Sequence, residues 1–453
     1  MAANSEHGIV RLWQHGIYLW ENEGAYLDAM EVFDEALLVT PPLAKFLQPP
    51  YDDETNYFDE SGEHPSEDCL LPPVQQNPSD TEDVSNYGYL APLLLFMAGC
   101  YLDAQQYPKA RRYCQAAWSF APRKPVSSAK QSTHDGFDFE NMHHRILCEY
   151  MAAWDEDPNV QNGWAISKQI ALDAQTNARS FILWRHADQR PGFFYPLPTN
   201  SPNANLPVCP REQHPFWCRQ LEQQYETILQ DFRQLCHFSP TAKVSDQQHQ
   251  NTSAPQNVPF HWPTVGGGDH REGAGSHDGM VVGEGGDWRE YVLFGSGADH
   301  HQSTTRTKAT RTRELIRRLV PDAVTLAESG GGEIIFSLLA PHTRIMPHCA
   351  STNLRWTAHL GLIVPSLAKI RVSDEWHTWE EGKMLVFDDS FEHEVRNDSD
   401  SVRAVLLLRF WHPDIESESE RSEAIRQALR WKELEKSRRY HPPVPPSSGA
   451  DTW

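Results

Sequence analysis

The feature that most constrains this chain is a stretch near its C-terminal end, residues 333–413. It opens EIIFSLLAPHTRIMPHCASTNLRWTAHLGLIVP and closes LVFDDSFEHEVRNDSDSVRAVLLLRFWHP. Glu333 to Leu339 and Arg355 to Val364 are apolar runs of strand length. In the second, Arg355, Thr357, His359 and Gly361 share a face, because side chains alternate along a strand. Lys369 to Val372, Lys383 to Phe387, Phe391 to Arg396 and Val402 to Trp411 continue the series, separated by SDEWHTWEEG, DDS and NDSDS, which carry turn residues. Short strands at this spacing predict a small antiparallel barrel or sandwich.

Histidine is over-supplied in this stretch: His342, His348, His359, His377, His393 and His412. For His342, His377 and His412 the preferred reading is a surface or hydrogen-bonded histidine. A metal site needs two imidazoles converging on one point, and spacing nominates His348 or His359 together with His393. A first-row oxygenase centre usually adds a carboxylate two residues after its first histidine. Here His348 is followed by Cys349 and Ala350, and His359 by Leu360 and Gly361, so neither candidate carries one.

The segments PHCASTNLRWTAHLGLIVP, KIRVSDEWHTWEEGKMLVFDDSFEHEVRND and RFWHP resemble the aspartyl/asparaginyl β-hydroxylases. The resemblance reaches upstream through GDWREYVLF and, more loosely, through FYPLP and QHPFWCRQLEQQYETILQDF. It implies a double-stranded β-helix core that uses Fe(II), with 2-oxoglutarate and O2 as cosubstrates. By the same resemblance His348 and His393 are the iron ligands, while His359, Ser337 and Arg403 contact 2-oxoglutarate. Trp288 matches a family tryptophan near the substrate pocket; a buried core tryptophan is the alternative reading. An arginine at position 403 suits a carboxylate, which a planar guanidinium takes in a bidentate pair.

Two departures stand out. The family has an arginine two residues before the HLGL histidine, where this chain has Thr357; Arg355, on the same strand face, is the candidate to compensate as a cosubstrate contact. Members from the secretory pathway carry a cysteine-bounded loop after the GDW-like strand, and Gly295 to Val320 contains no cysteine here.

Upstream, two segments read as one helical repeat written twice. Trp13, Trp20, Tyr26, Ala29, Phe33, Ala36 and Pro41 fall at the spacing of a tetratricopeptide (TPR) helix pair, as do Leu94, Ala98, Tyr101, Tyr107, Ala110, Ala117 and Pro122. Such a stack needs about three units, which places a third pair within Glu140 to Asp173. The expected fold class is α+β: an N-terminal all-α TPR-like region at 1–185 with an acidic loop at 48–85, followed by a jelly-roll or cupin-like barrel with flanking helices. A linker and flanking helix at 186–238, a disordered insert at 239–286, the oxygenase domain at 287–440 and a disordered tail at 441–453 complete the plan.

With 62 acidic against 40 basic residues and a formal charge of -22, the chain lacks the basic footprint of a nucleic-acid binder. The N-terminus shows no basic segment followed by an apolar one, and the apolar run at Leu93 to Cys100 is far short of the ~20 residues that span a bilayer. Eight cysteines without a CxxC pair favour a reduced compartment. The expectation is therefore a cytoplasmic dioxygenase without nucleic-acid or membrane partners. It acts on a peptide or protein, and the repeats offer a groove for a protein partner or brace the barrel. The alternative is a TPR interaction scaffold whose β-hydroxylase-like domain is inactive.

Overall fold

In the computed structural model the described residues are 2–39, 43, 47, 70–71, 90–121, 142–160, 162–179, 182–198, 200–203, 206–236, 262, 281–282, 287–295 and 309–443. The acidic loop at 48–85, the insert at 239–286 and the tail at 441–453 fall outside them apart from residues 70–71, 262, 281–282 and 441–443. The chain divides into two compact units, Met1–Ala187 with Leu429–Trp453, and Asp188–Ala428.

The first unit is helical. Among the described residues its α-helices include Ala2–Tyr18, Tyr26–Leu38, Leu90–Asp103, Tyr107–Phe120, Met142–Asp155 and Gly163–Asn177; the last two overlap the expected stretch Glu140 to Asp173 and run four residues beyond it. Ala29, Phe33, Ala36, Ala98, Ala110 and Ala117 are buried, small residues letting helices approach while Phe33 fills the seam against Trp13 at 4.3 Å between ring centroids. Tyr26, expected in that seam, is instead 55% exposed. The Trp13 and Trp20 indoles donate to the carbonyls of Pro443 and Tyr440, at 2.8 and 2.9 Å, which ties residues 440–443 to the first helix and the π-helical turn Leu19–Glu23 that follows it. Among the described residues no helix is long and apolar enough to cross a membrane, and seven cysteines are free thiols.

Among the described residues the second unit holds ten strands: β1 Val281–Val282, β2 Trp288–Phe294, β3 Ile334–Leu339, β4 Thr343–His348, β5 Arg355–Ile363, β6 Ala368–Val372, β7 Glu375–His377, β8 Met384–Phe387, β9 His393–Asn397 and β10 Arg403–Trp411. They form two antiparallel five-stranded sheets, β1-β4-β9-β6-β7 and β2-β3-β10-β5-β8. The central strands of the second sheet are buried on both faces, which explains unbroken runs such as AVLLL. Phe336, Leu360, Leu406 and Leu408 pack outward against the helices Phe216–Glu222, Tyr225–Leu235, Thr310–Leu319 and Pro321–Glu328. Ile335, Leu339, Val405 and Leu407 pack inward against Ile345, Ile370 and Val395 of the first sheet.

Two strands lie in segments that carry no clear strand signal. β4 follows the turn at Pro341 and His342, and β7 lies inside SDEWHTWEEG, between two expected strands; pairing of Ile370 with His377 and Val372 with Glu375 makes part of it a hairpin. Gly361 on β5 has a definite reason. A Cβ there would meet the Glu380 carbonyl oxygen at 2.4 Å, so only glycine lets the segment carrying Trp379 close over the inner face.

Candidate active site

The interior of the second unit is lined by polar side chains in three groups. The first is the histidine pair. His348 and His393 are register partners on β4 and β9, with ring centroids 4.1 Å apart. The register slips between Ile345 and His348, where Pro347 supplies no N–H to the ladder, and such a bulge re-aims the next side chain. His348 Nδ1 donates to the Met346 carbonyl at 2.8 Å, and His393 Nδ1 donates to the Phe391 carbonyl at 2.9 Å. A carbonyl only accepts, so both neutral rings carry their lone pair on Nε2. Burial lowers the His393 pKa, which favours the neutral form.

Two neutral imidazoles with Nε2 lone pairs suit a borderline divalent cation. Among the described residues no group of three or more His, Cys, Asp or Glu converges on one point, so a cation here would draw two protein ligands.

His359 is arranged the opposite way. Its Nδ1 accepts from the Trp379 indole at 3.2 Å, so the neutral ring carries its hydrogen on Nε2, which is buried without a partner. Burial, the Arg403 charge and then His393 push its pKa well below the usual histidine value. His359 is thus a neutral donor. Phe387 lies between the two groups, 5.1 Å from the His359 ring and 5.7 Å from that of His393.

Arg403 anchors this second group. It is 2% exposed, and no carboxylate pairs with it among the described residues; burial lowers its pKa to about 9. Its guanidinium stacks 5.0 Å from the Trp379 ring centroid, Nη1 donates to Ser337 Oγ at 3.4 Å, and Nε has no partner. Trp288 Nε1 also donates to Ser337 Oγ, at 3.0 Å, leaving the serine hydrogen to donate inward. Arg403, Ser337 and His359 together offer buried donors and no acceptor.

The third group is charged on both signs. Arg409 Nε donates to Asp389 Oδ2 at 3.4 Å and its Nη1 to Glu333. Arg355 donates to the Gly331 carbonyl at 2.8 Å and stands 3.8 Å from Asp389 Oδ2. Burial and Glu333 push the Glu290 carboxyl up to about 7. Neighbouring Asp388 turns away: its carboxylate accepts from Ser390 Oγ at 2.6 Å and Gln189 at 3.3 Å, and burial raises its pKa to about 7.

The structure therefore brings Ser337, His359, Arg403 and Trp288 into one group and His348 with His393 into another. Arg355 is set apart from the Arg403 group. It lies four positions from His359 along β5, roughly 13 Å of strand, with its donors facing Gly331 and Asp389. Trp288 serves the Ser337 end. Sequence reasoning missed Trp379, hidden in a segment read as a turn, and Arg409, although the two-residue alternation from Arg403 through Val405 and Leu407 places it on the inner face.

Fold and side chains define a two-sheet domain whose interior carries a facing histidine pair and a buried cluster of hydrogen-bond donors. The family described as aspartyl/asparaginyl beta-hydroxylase matches residues 222–413, so this region of the chain, which holds the two sheets, is similar to that family. Aspartyl/asparaginyl beta-hydroxylase of Mus musculus is 38% identical over 143 residues, 31% of this chain and 18% of that protein. The Homo sapiens protein of that name is 38% identical over 140 residues, again 31% and 18%. Aspartate beta-hydroxylase domain-containing protein 2 of Xenopus tropicalis is 25% identical over 337 residues, 70% of this chain and 78% of that protein. The matched region spans about a fifth of the first two relatives.

Proposed function

We propose that the sheet unit is an Fe(II)/2-oxoglutarate-dependent dioxygenase with a double-stranded β-helix core, hydroxylating the β-carbon of aspartyl or asparaginyl residues in a peptide or protein. The observation that carries this reading is the buried Arg403, which has no counter-ion among the described residues and lies beside two further donors, Ser337 and His359. A buried guanidinium without an acceptor is costly, and a bound carboxylate satisfies it. Bound iron and 2-oxoglutarate supply the oxidising power that, with O2, replaces C–H by C–OH and releases succinate and CO2.

The chain supplies positions. His348 and His393 hold the cation through Nε2, their tautomers fixed by the Met346 and Phe391 carbonyls. Arg403 and Ser337 hold the far carboxylate of 2-oxoglutarate, and His359 donates to it from Nε2 while remaining neutral. Trp379 orients both His359 and Arg403, through the indole hydrogen bond to the first and the stacked guanidinium of the second. The helix pairs of the first unit, read as TPR-like, present the protein substrate or a partner.

Anaerobic Fe(II) and 2-oxoglutarate titration, followed by succinate measurement on admitting O2, tests the reading. Saturable binding of both with succinate release is expected. A protein that binds neither, or binds both without turnover, is the inactive scaffold instead.

A further inference from the structure

Thr357 and Arg409 are register partners on β5 and β10. Both project to the inner face, since their neighbours Trp356, Ala358, Leu408 and Phe410 pack in the outer core. Thr357 is 2% exposed and its Oγ1 has no hydrogen-bond partner. Arg409 is held by Asp389 through Nε and by Glu333 through Nη1, whereas its Nη2 bonds no described residue. Asp389 Oδ1 is likewise buried without a partner, its Oδ2 facing Arg409 and Arg355. Phe387, the register partner of Thr357 on β8, touches both the His359 and His393 rings. The row that carries these unsatisfied groups therefore lies beside the histidine pair.

The charges of this row decide what it can accept. Arg355 and Arg409 are matched by Asp389 and Glu333, and Glu290 adds a further acidic group whose carboxyl burial and Glu333 push up to about 7. No positive charge is left over for an entering carboxylate, which would lose its hydration without gaining a counter-ion. A carboxamide meets the row differently. Its oxygen accepts from Arg409 Nη2 and the Thr357 hydroxyl, and its NH2 donates to Asp389 Oδ1.

We infer that Thr357, Arg409 and Asp389 form a recognition site for a side-chain carboxamide, making this chain selective for asparaginyl over aspartyl residues. The inference rests on the proposed β-hydroxylase reading and narrows its substrate. Thr357, where the family pattern has arginine, is then a specificity change: it withholds a positive charge, while Arg409 across the strand pair supplies a neutralised donor.

Binding of N-acetyl-asparagine amide and N-acetyl-aspartate amide to the full chain, loaded with 2-oxoglutarate and measured by saturation-transfer NMR titration, tests this without turnover. The wild type is expected to hold the asparagine probe about tenfold more tightly, the worth of a hydrogen bond to a charged group. Asp389→Asn, close to isosteric, should erase that preference, and Thr357→Arg should reverse it towards aspartate. Equal or tighter aspartate binding by the wild type, no binding of either probe, or a preference unmoved in a folded Asp389→Asn variant overturns the inference. Absent succinate release with the probe preference intact would instead sink the dioxygenase reading and leave the recognition site standing.

Discussion

His348 and His393 face each other across neighbouring strands, 4.1 Å between ring centroids, each with its Nδ1 hydrogen given to the carbonyl two residues before it. The two rings are thus presented by the same local device. Under the proposed reading His348→Ala or His393→Ala removes half of the protein ligands. Either should abolish saturable Fe(II) binding and succinate formation while the circular dichroism stays near wild type. His359→Ala should keep the metal and raise the 2-oxoglutarate requirement, because that ring carries its hydrogen on Nε2 and is a donor. Loss of metal in His359→Ala with retention in His348→Ala would reverse these roles.

Arg403→Met keeps most of the side chain's length and removes its charge. Losing a charge-assisted bond in a buried pocket costs on the order of 3 kcal/mol, so 2-oxoglutarate affinity should fall by roughly two powers of ten. The variant should also gain thermal stability when no ligand is present, since the wild type buries an uncompensated cation. Calorimetric titration and a melting curve check the two halves separately, and unchanged affinity would move the anchor elsewhere.

Much of this site could be read from residues 333–413 because two-residue alternation fixes which face a strand side chain takes. The runs expected at Arg355 to Val364 and Val402 to Trp411 correspond to β5 and β10, and His359 and Arg403 do face inward. β7 was illegible because Glu375, Trp376 and His377 are exposed or partly so, and their only sheet neighbour is β6, which leaves no apolar pattern. Trp379 could not be placed without the close approach that Gly361 permits. The separation of Arg355 from the Arg403 group depends on Gly331 and Asp389, both supplied by connections outside β5 and β10.

Glu290 makes one contribution to stability depend on pH. Its pKa in the folded protein, about 7, is raised above the ordinary 4.5 by burial and by Glu333. The native state therefore holds a proton that the unfolded chain has released, and stability present below about 4.5 is lost as pH rises towards 7. The full shift corresponds to about 3 kcal/mol, and partial exposure cuts it to roughly half. Glu290→Gln should flatten this loss, leaving the urea midpoint nearly unchanged at pH 5 and raised at pH 8. A midpoint equally shifted at both values would place the effect in packing instead.

The last prediction concerns the carboxylate that the two-histidine centre lacks. Position 350, two residues after His348, is an alanine, 9% exposed, whose N–H donates to the Asp389 carbonyl at 2.7 Å. A skeptic could assign the missing ligand to Asp388 or Asp389. Asp388 is occupied by Ser390 and Gln189; Asp389 turns Oδ2 to Arg409 and Arg355 and leaves Oδ1 unpartnered, but among the described residues no third His, Cys, Asp or Glu converges with the two rings. Asp389→Ala should accordingly lose little Fe(II) affinity. Ala350→Asp should do the reverse: a carboxylate beside the histidine pair adds a third ligand, tightening Fe(II) binding by about tenfold or more while lowering succinate formation, because it fills a position the chemistry needs open. Fe(II) titration of the two variants reads both effects. If Asp389→Ala abolishes metal binding, Asp389 is a ligand and the centre is an ordinary facial triad.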